Sequence, residues 1–127
     1  MRALVVEDNP DNTRLLEFLL TKHGFEVVCA ATGAEGLAAA RAGGVDVVLL
    51  DIQLPDLDGT EVLERLRADP RTAGLPVIAV TSYAMSGDRE RLLARGCDGY
   101  LEKPIDPMGV IDQIRAILEG RHERAGR

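Results

Sequence analysis

Three carboxylates follow two apolar segments of the chain, and their spacing gives the first indication of chemistry. Glu7 and Asp8 come directly after the apolar run 4–6, and Asp51 closes the mostly apolar run 45–50. If these runs are neighbouring parallel strands, the three acids meet at one edge of a sheet and repel one another unless a cation lies between them. Oxygen ligands favour a hard divalent ion such as Mg²⁺, which often completes its shell with a phosphoryl group. The sequence therefore indicates phosphoryl chemistry.

Asp51 is the candidate nucleophile of this cluster. A charge at the end of an apolar strand carries a desolvation cost that a structural role does not explain. A metal held by Glu7 and Asp8 would offset that cost and would let an Asp51 oxygen attack a phosphorus atom. Taken alone, Asp51 could equally be a helix cap or an exposed loop acid, so the hypothesis depends on its companions.

Two further polar residues follow strand-like segments of their own. Lys103 offers a compact cation suited to a phosphoryl oxygen, and Pro104 restricts its backbone to an extended or turn conformation. Thr81 ends a β-branched segment with a hydroxyl that could donate to the same oxygen. Each residue is weak evidence alone, and their convergence after separate strands supports the hypothesis.

The elements that must position these residues alternate regularly. Short apolar runs predict five strands, amphipathic patterns between and after them predict helices, and this alternation favours an α/β fold with a doubly wound, five-stranded parallel sheet. In such a sheet a site forms at the carboxyl ends of the strands, where the strand order reverses. The predicted strands are residues 3–7, 26–29, 45–50, 77–80 and 99–101, and the first four helices are about 10–23, 34–42, 58–68 and 86–95.

Length and composition limit the function classes. The 127 residues suit one domain, predicted at 1–120 with a flexible charged tail at 121–127. A net charge of −6 argues against a nucleic-acid partner, and no stretch is apolar enough to span a membrane. Cys29 and Cys97 lack metal or redox spacing, so we expect reduced, core-packed thiols and a cytoplasmic location.

The motifs that carry these residues resemble the receiver domain of two-component response regulators. They are LVVEDN at 4–9, VVLLDIQLPDLDG at 47–59, VIAVTSYA at 77–84 and GYLEKPI at 99–105. The resemblance spans essentially the whole chain and is closest to single-domain regulators and to receivers of hybrid kinases. It implies a (βα)5 flavodoxin-like, CheY-like fold with three αβα layers. It also implies a signalling phosphoacceptor that catalyses only its own phosphorylation and dephosphorylation.

The resemblance assigns roles to the site residues. Asp51 is expected to accept a phosphoryl group from a sensor histidine kinase or a histidine phosphotransfer protein. Glu7, Asp8 and Asp51 are expected to bind Mg²⁺ together with the backbone carbonyl of Gln53, while Lys103 contacts the phosphoryl group.

The same resemblance implies a conformational switch. Thr81 and Tyr100 match the family's switch pair, which would reshape the face of the fourth helix, fifth strand and fifth helix for a downstream protein. A monomer or a phosphorylation-dependent dimer is expected, and the Lys103–Pro104 peptide bond matches one that is cis in this family. Tyr83 would flank the mouth of the site.

One rival hypothesis is an enzyme. The segment from Asp56 to Thr60 matches the DxDGT nucleophile motif of haloacid-dehalogenase-type phosphatases, with Asp56 and Asp58 as its acids. That motif belongs directly after an apolar strand, whereas Leu54 and Pro55 intervene here. No later strand supplies further metal-binding acids.

Other rivals are weaker still. A Rossmann or P-loop nucleotide site needs a glycine-rich turn where Glu7, Asp8 and Asn9 stand. A pseudo-receiver that binds partners without being phosphorylated is a minor option, because every expected acid is present. His23 and His122 have no neighbours suited to catalysis, and we expect both at the surface.

Overall fold

Five parallel strands form the centre of the molecule, which is described by a computed structural model over residues 1–82 and 86–125; side-chain surroundings are described for residues 1–82 and 90–120. The strands are β1 (Arg2–Val6), β2 (Glu26–Ala30), β3 (Val47–Asp51), β4 (Val77–Thr81) and β5 (Gly99–Glu102). They alternate with α1 (Pro10–Lys22), α2 (Gly33–Arg41), α3 (Gly59–Ala68), α4 (Ser86–Ala94) and α5 (Val110–Ala125). The predicted βα alternation is confirmed.

The strand order is β2-β1-β3-β4-β5, and every neighbouring pair is parallel. The chain moves from β1 to β2 on one side and then crosses to β3 on the other side. The order therefore reverses between β1 and β3, where a doubly wound sheet offers a site.

Two apolar layers cover the two faces of the sheet. One cluster packs α1 and α5 against one face, with Leu16, Leu20 and Ile114 fully buried. The other packs α2, α3 and α4 against the opposite face, through residues such as Leu63 and Leu92. β3 and β4 are buried along their whole length. This arrangement is the expected three-layer αβα fold.

Local capping sets several element boundaries. Asn9 Oδ1 accepts hydrogen bonds from the amides of Asp11 and Asn12, so α1 begins at Pro10 directly after the acid pair. α1 ends before His23, which serves as its C-cap and is followed by Gly24 at φ +90°. His23 is exposed, as expected.

The third strand differs from its prediction. It begins at Val47 rather than at residue 45 and includes Asp51, whose register partner on β4 is Val80. Pairing with a central neighbour extends the strand by one residue. The nucleophile candidate is thus held by the sheet itself.

The prediction of a core-packed Cys29 is wrong, whereas Cys97 is buried. β2 is an edge strand, and much of its length is exposed or only half-buried. Cys29 Sγ contacts Glu17 Oε2 at 3.2 Å on that exposed side. Burial, followed by the nearby Glu17 carboxylate, raises the Cys29 pKa to about 11.

The carboxyl end of the chain continues the last helix. The backbone of α5 is helical to Ala125, so the helix extends into the segment 121–127. The flexibility of that segment stays a prediction. Within the part of the chain described here, no helix has both the length and the apolar character that a bilayer crossing requires.

Candidate functional site

The predicted carboxylates meet at the carboxyl edge of β1 and β3. One oxygen from each of Glu7, Asp8 and Asp51 lies within 4.8 Å of the others. Glu7 and Asp51 are buried at about 3 % exposure, while Asp8 is exposed. The cluster therefore has a buried floor and one acid that opens to solvent.

Backbone amides orient the two buried acids. The Gln53 amide donates to Asp51 Oδ1 at 3.0 Å, and the Asn9 amide donates to Glu7 Oε2 at 3.3 Å. The Glu7 amide is itself bonded to the Ala30 carbonyl at 2.9 Å, which continues the sheet pairing beyond β1. The loops after the strands thus fix the side chains that the strands deliver.

Lys103 enters the cluster from the end of β5. Its Nζ lies 2.8 Å from Glu7 Oε1 and 3.0 Å from Asp51 Oδ2, and its side chain is 17 % exposed. The Lys103 amide donates to the Thr81 carbonyl at 2.9 Å, which anchors this residue beside β4. The Lys103–Pro104 peptide bond is cis, as the family resemblance implied.

The charges of this cluster perturb one another. Burial, followed by the neighbouring Asp51, raises the pKa of Glu7, and Lys103 only partly opposes this rise. Burial acts to lower the pKa of Lys103, but its contacts with Glu7 and Asp51 outweigh that effect and leave the pKa raised. The cluster holds more negative charge than one lysine can balance.

A divalent cation fits this donor set. Buried Glu7 Oε1 shares one cation, Lys103 Nζ, with Asp51 Oδ2, at 2.8 Å and 3.0 Å. An oxygen-only ligand set of three carboxylates is the kind that Mg²⁺ prefers. The negative charge that Lys103 leaves unbalanced favours a bound ion.

Thr81 and Tyr100 lie on adjacent strands beside the cluster. Thr81 ends β4, is buried, and lines a cleft of about 410 Å³ together with Gln53 and Arg91. Tyr100 is half-buried on β5, where its register partner is Ala79. Tyr83 lies outside the described residues.

The family comparison agrees with this geometry. The sequence model of the family "Response regulator receiver domain" matches residues 3–115 of this chain. The chain belongs to this family.

Relatives of this receiver domain cover nearly its full length. The polar-differentiation response regulator DivK of Brucella ovis is 41% identical over 116 residues, which are 91% of this chain and 94% of that protein. A CheY-like receiver domain protein from Methanospirillum hungatei JF-1 shares 33% identity at a TM-score of 0.86, covering 97% of both chains. The receiver domain of the sensor histidine kinase PA1611 from Pseudomonas aeruginosa PAO1, solved with a magnesium ion coordinated in its active site cleft, shares 34% identity at a TM-score of 0.81, covering 93% of this chain and 94% of that one.

The rival phosphatase motif has a structural role in this receiver domain. Asp56 accepts hydrogen bonds from the amides of Gly33 at 2.8 Å and Ala34 at 3.0 Å, and these amides lower the pKa of its carboxyl group. Asp58 caps α3 by accepting from the Thr60 amide at 2.9 Å. Both acids are helix caps, and neither joins the carboxylate cluster. The phosphatase hypothesis is not supported.

Sequence reasoning missed one residue that shapes the site, Gly59 at the start of α3. A Cβ atom at this position would lie 2.5 Å from Ile52 Cα and 2.6 Å from the Asp51 carbonyl oxygen. Only glycine lets α3 begin this close to the end of β3. Asp58 and Gly59 close the receiver motif at 47–59, but that motif alone assigns no role to Gly59, and Asp followed by Gly at a helix start is the local signal for it.

Proposed function

We propose that Asp51 is the phosphoacceptor of this receiver domain and takes its phosphoryl group from a histidine of a sensor histidine kinase or a histidine phosphotransfer protein. The observation that carries the proposal is the position of the Asp51 carboxylate. Oδ1 is held by the Gln53 amide, and Oδ2 lies 3.0 Å from Lys103 Nζ. An acid oriented in this way has a cation ready for the charge of an incoming phosphoryl group.

The proposed transfer forms one bond and breaks another. An oxygen of Asp51 bonds to phosphorus while the phosphorus–nitrogen bond of the phosphohistidine breaks, and the histidine nitrogen keeps the electron pair. Lys103 binds a phosphoryl oxygen, and the Thr81 hydroxyl donates to another. The result is an acyl phosphate at the carboxyl end of β3.

Glu7, Asp8, Asp51 and the backbone carbonyl of Gln53 are the proposed ligands of Mg²⁺. When bound, the ion would supply positive charge that offsets the carboxylates and the transferring group. Support comes from the carboxylate cluster, whose charge exceeds that of Lys103, and from the family to which the chain belongs.

The proposed output is a change of protein contacts rather than turnover of a substrate. Phosphorylation would draw the Thr81 hydroxyl toward Asp51 and turn the Tyr100 ring inward. This movement would alter the face formed by α4, β5 and α5, to which a downstream protein binds. The domain would catalyse only its own phosphorylation and dephosphorylation, as a monomer or a phosphorylation-dependent dimer. A cytoplasmic location belongs to the same proposal.

Labelling with a small phosphodonor tests the assignment. The protein is incubated with acetyl phosphate and Mg²⁺, and the mass increase of one phosphoryl group is measured by intact mass spectrometry. We expect labelling of the wild type and of Asp56→Asn, and none of Asp51→Asn. Asp56→Asn is the matched control because it makes the same carboxylate-to-amide change five positions away. Label retained by Asp51→Asn would contradict the assignment.

A further inference from the structure

A second concave surface lies between β5 and α5, on the opposite side of β5 from β4. It is a groove of about 520 Å³ lined by Tyr100, Glu102, Pro104, Asp106, Gln113, Ala116 and Ile117. None of these residues belongs to the carboxylate cluster. The groove lies on the face proposed above for the downstream protein.

The groove has an apolar floor because α5 packs directly onto β5. A Cβ atom at Gly99 would lie 2.7 Å from Ile117 Cδ1, so only glycine at this strand position permits the contact. Ile117 is half-buried as a result and leaves part of its surface in the groove beside Ala116 and Pro104. An apolar side chain of a partner could cover this floor.

The rim of the groove is acidic. Glu102 and Asp106 are exposed, and neither forms an ion pair with the residues whose side chains are described. Asp106 Oδ1 accepts a hydrogen bond from the Met108 amide at 3.0 Å, which fixes the orientation of this carboxylate. Within that same described part, no lysine or arginine lines the groove. The two carboxylates therefore present negative charge beside the apolar floor.

We propose that this groove binds a segment of a partner protein that carries lysine or arginine residues close to an apolar side chain. The inference rests on the proposed output function and adds the chemistry of the partner. Complementary charge across an interface gives specificity and faster association, while the apolar contact supplies affinity. A second copy of this chain is a less suitable partner, because its net charge of −6 opposes association with an acidic rim.

Peptide selection tests this charge preference. A random peptide library displayed on phage is selected on the full chain with Mg²⁺ and beryllofluoride, an analogue of the phosphoryl group. We expect the enriched peptides to carry Lys or Arg close to an apolar residue. The strongest peptide is then synthesised with a fluorescent label, and its Kd is measured by anisotropy.

Matched double variants assign the binding to the groove. The double variant Glu102→Gln with Asp106→Asn removes both rim charges. The side-chain carbonyl oxygen of the new Asn can still accept the hydrogen bond from the Met108 amide. We expect the peptide Kd to rise roughly fivefold, because two partly exposed ion pairs are lost. Asp112→Asn with Glu119→Gln removes the same charge from the exposed side of α5, and we expect the Kd to stay within twofold of wild type.

Several outcomes would overturn the inference. They are an enrichment of acidic or uncharged peptides, no peptide whose binding depends on the groove, or a Kd that the groove variant leaves unchanged. Sedimentation showing a dimer that only the groove variant abolishes would identify a second copy as the occupant and would also overturn it. The proposed function fails separately: basic peptides that bind equally with and without beryllofluoride would leave the groove's preference standing but remove its switch.

Discussion

Replacing Lys103 by Met should destabilise the fold in the absence of Mg²⁺, because it removes the cation that contacts two buried carboxylates. Lys103 Nζ lies 2.8 Å from Glu7 and 3.0 Å from Asp51, whose side chains are 2 % and 4 % exposed. Met keeps the apolar stem of the side chain, so the change tests the charge. Without that charge the two acids face each other in a poorly solvated site.

The expected magnitude follows from this burial. Breaking a buried ion pair by removing one partner costs about 3–5 kcal/mol of unfolding free energy. Lys103 retains 17 % exposure, and water can reach the cluster past the exposed Asp8, so the lower end applies. We therefore expect a loss of about 3 kcal/mol at neutral pH, equivalent to a fall in Tm of roughly 10 °C.

The loss should depend on pH through Glu7. Burial and Asp51 raise its pKa in the folded protein, and the loss of Lys103 removes a contact that lowers it. Between the unfolded and folded pKa values the folded state binds more protons, so stability falls as pH rises through this window. The deficit of the variant relative to wild type should be smaller at about pH 5 than at neutral pH.

Urea denaturation at neutral pH and at about pH 5 measures the stability loss and its pH dependence, each with and without Mg²⁺. Lys22→Met serves as an exposed-lysine control. Mg²⁺ should stabilise Lys103→Met more than wild type, because the ion then meets carboxylates that no lysine neutralises. A variant as stable as wild type at neutral pH with chelator present would refute the ion pairs. A smaller effect of Mg²⁺ on the variant would refute the competition between ion and lysine.

Three further changes give independent tests. Gly59→Ala should cost about 1–3 kcal/mol of unfolding free energy and slow acetyl phosphate labelling, because its Cβ would lie 2.5 Å from backbone. A Cβ added at Gly74 would meet no heavy atom within 4 Å apart from those of its neighbours in the chain. Gly74→Ala should therefore leave the unfolding free energy and the labelling rate unchanged. Asp56→Asn should lower the denaturation midpoint at pH 7, and its difference from wild type should shrink as the pH falls below 3.8, since a carboxyl with a lowered folded pKa loses its stabilising contribution as pH falls through the folded value. Cys29, with its pKa raised to about 11, should react slowly with iodoacetamide at pH 8, and Glu17→Gln should accelerate that reaction.

Much of the fold could be predicted because its signals are local. Apolar runs that end in acids mark the central strands, and the Asn9 cap precedes the first helical residue. The features that could not be predicted depend on contacts between segments that are distant in the sequence. Cys29 lies in an apolar run, but its exposure follows from the edge position of β2, which the run does not encode. Asp56 caps a helix that begins 23 residues earlier in the chain, so its neighbours in sequence suggested a catalytic motif instead.

The site and the groove are connected through β5, which contains the groove residues Tyr100 and Glu102 and is followed directly by Lys103. Glu102 is the register partner of Thr81, and the Lys103 amide is bonded to the Thr81 carbonyl at 2.9 Å. A shift of Thr81 toward a phosphoryl group therefore acts on the same backbone that forms the groove wall.

Coupling of this kind must be reciprocal. If beryllofluoride strengthens binding of a groove peptide by some factor, the peptide must strengthen binding of beryllofluoride by the same factor. Complete switching from one state to the other would need about 5.5 kcal/mol of differential binding, so we expect a partial shift and a modest factor. Titrating beryllofluoride at zero and saturating peptide measures one factor, and titrating the peptide with and without beryllofluoride measures the other. If both factors equal one, the surface that binds the peptide does not respond to the phosphoryl site at Asp51.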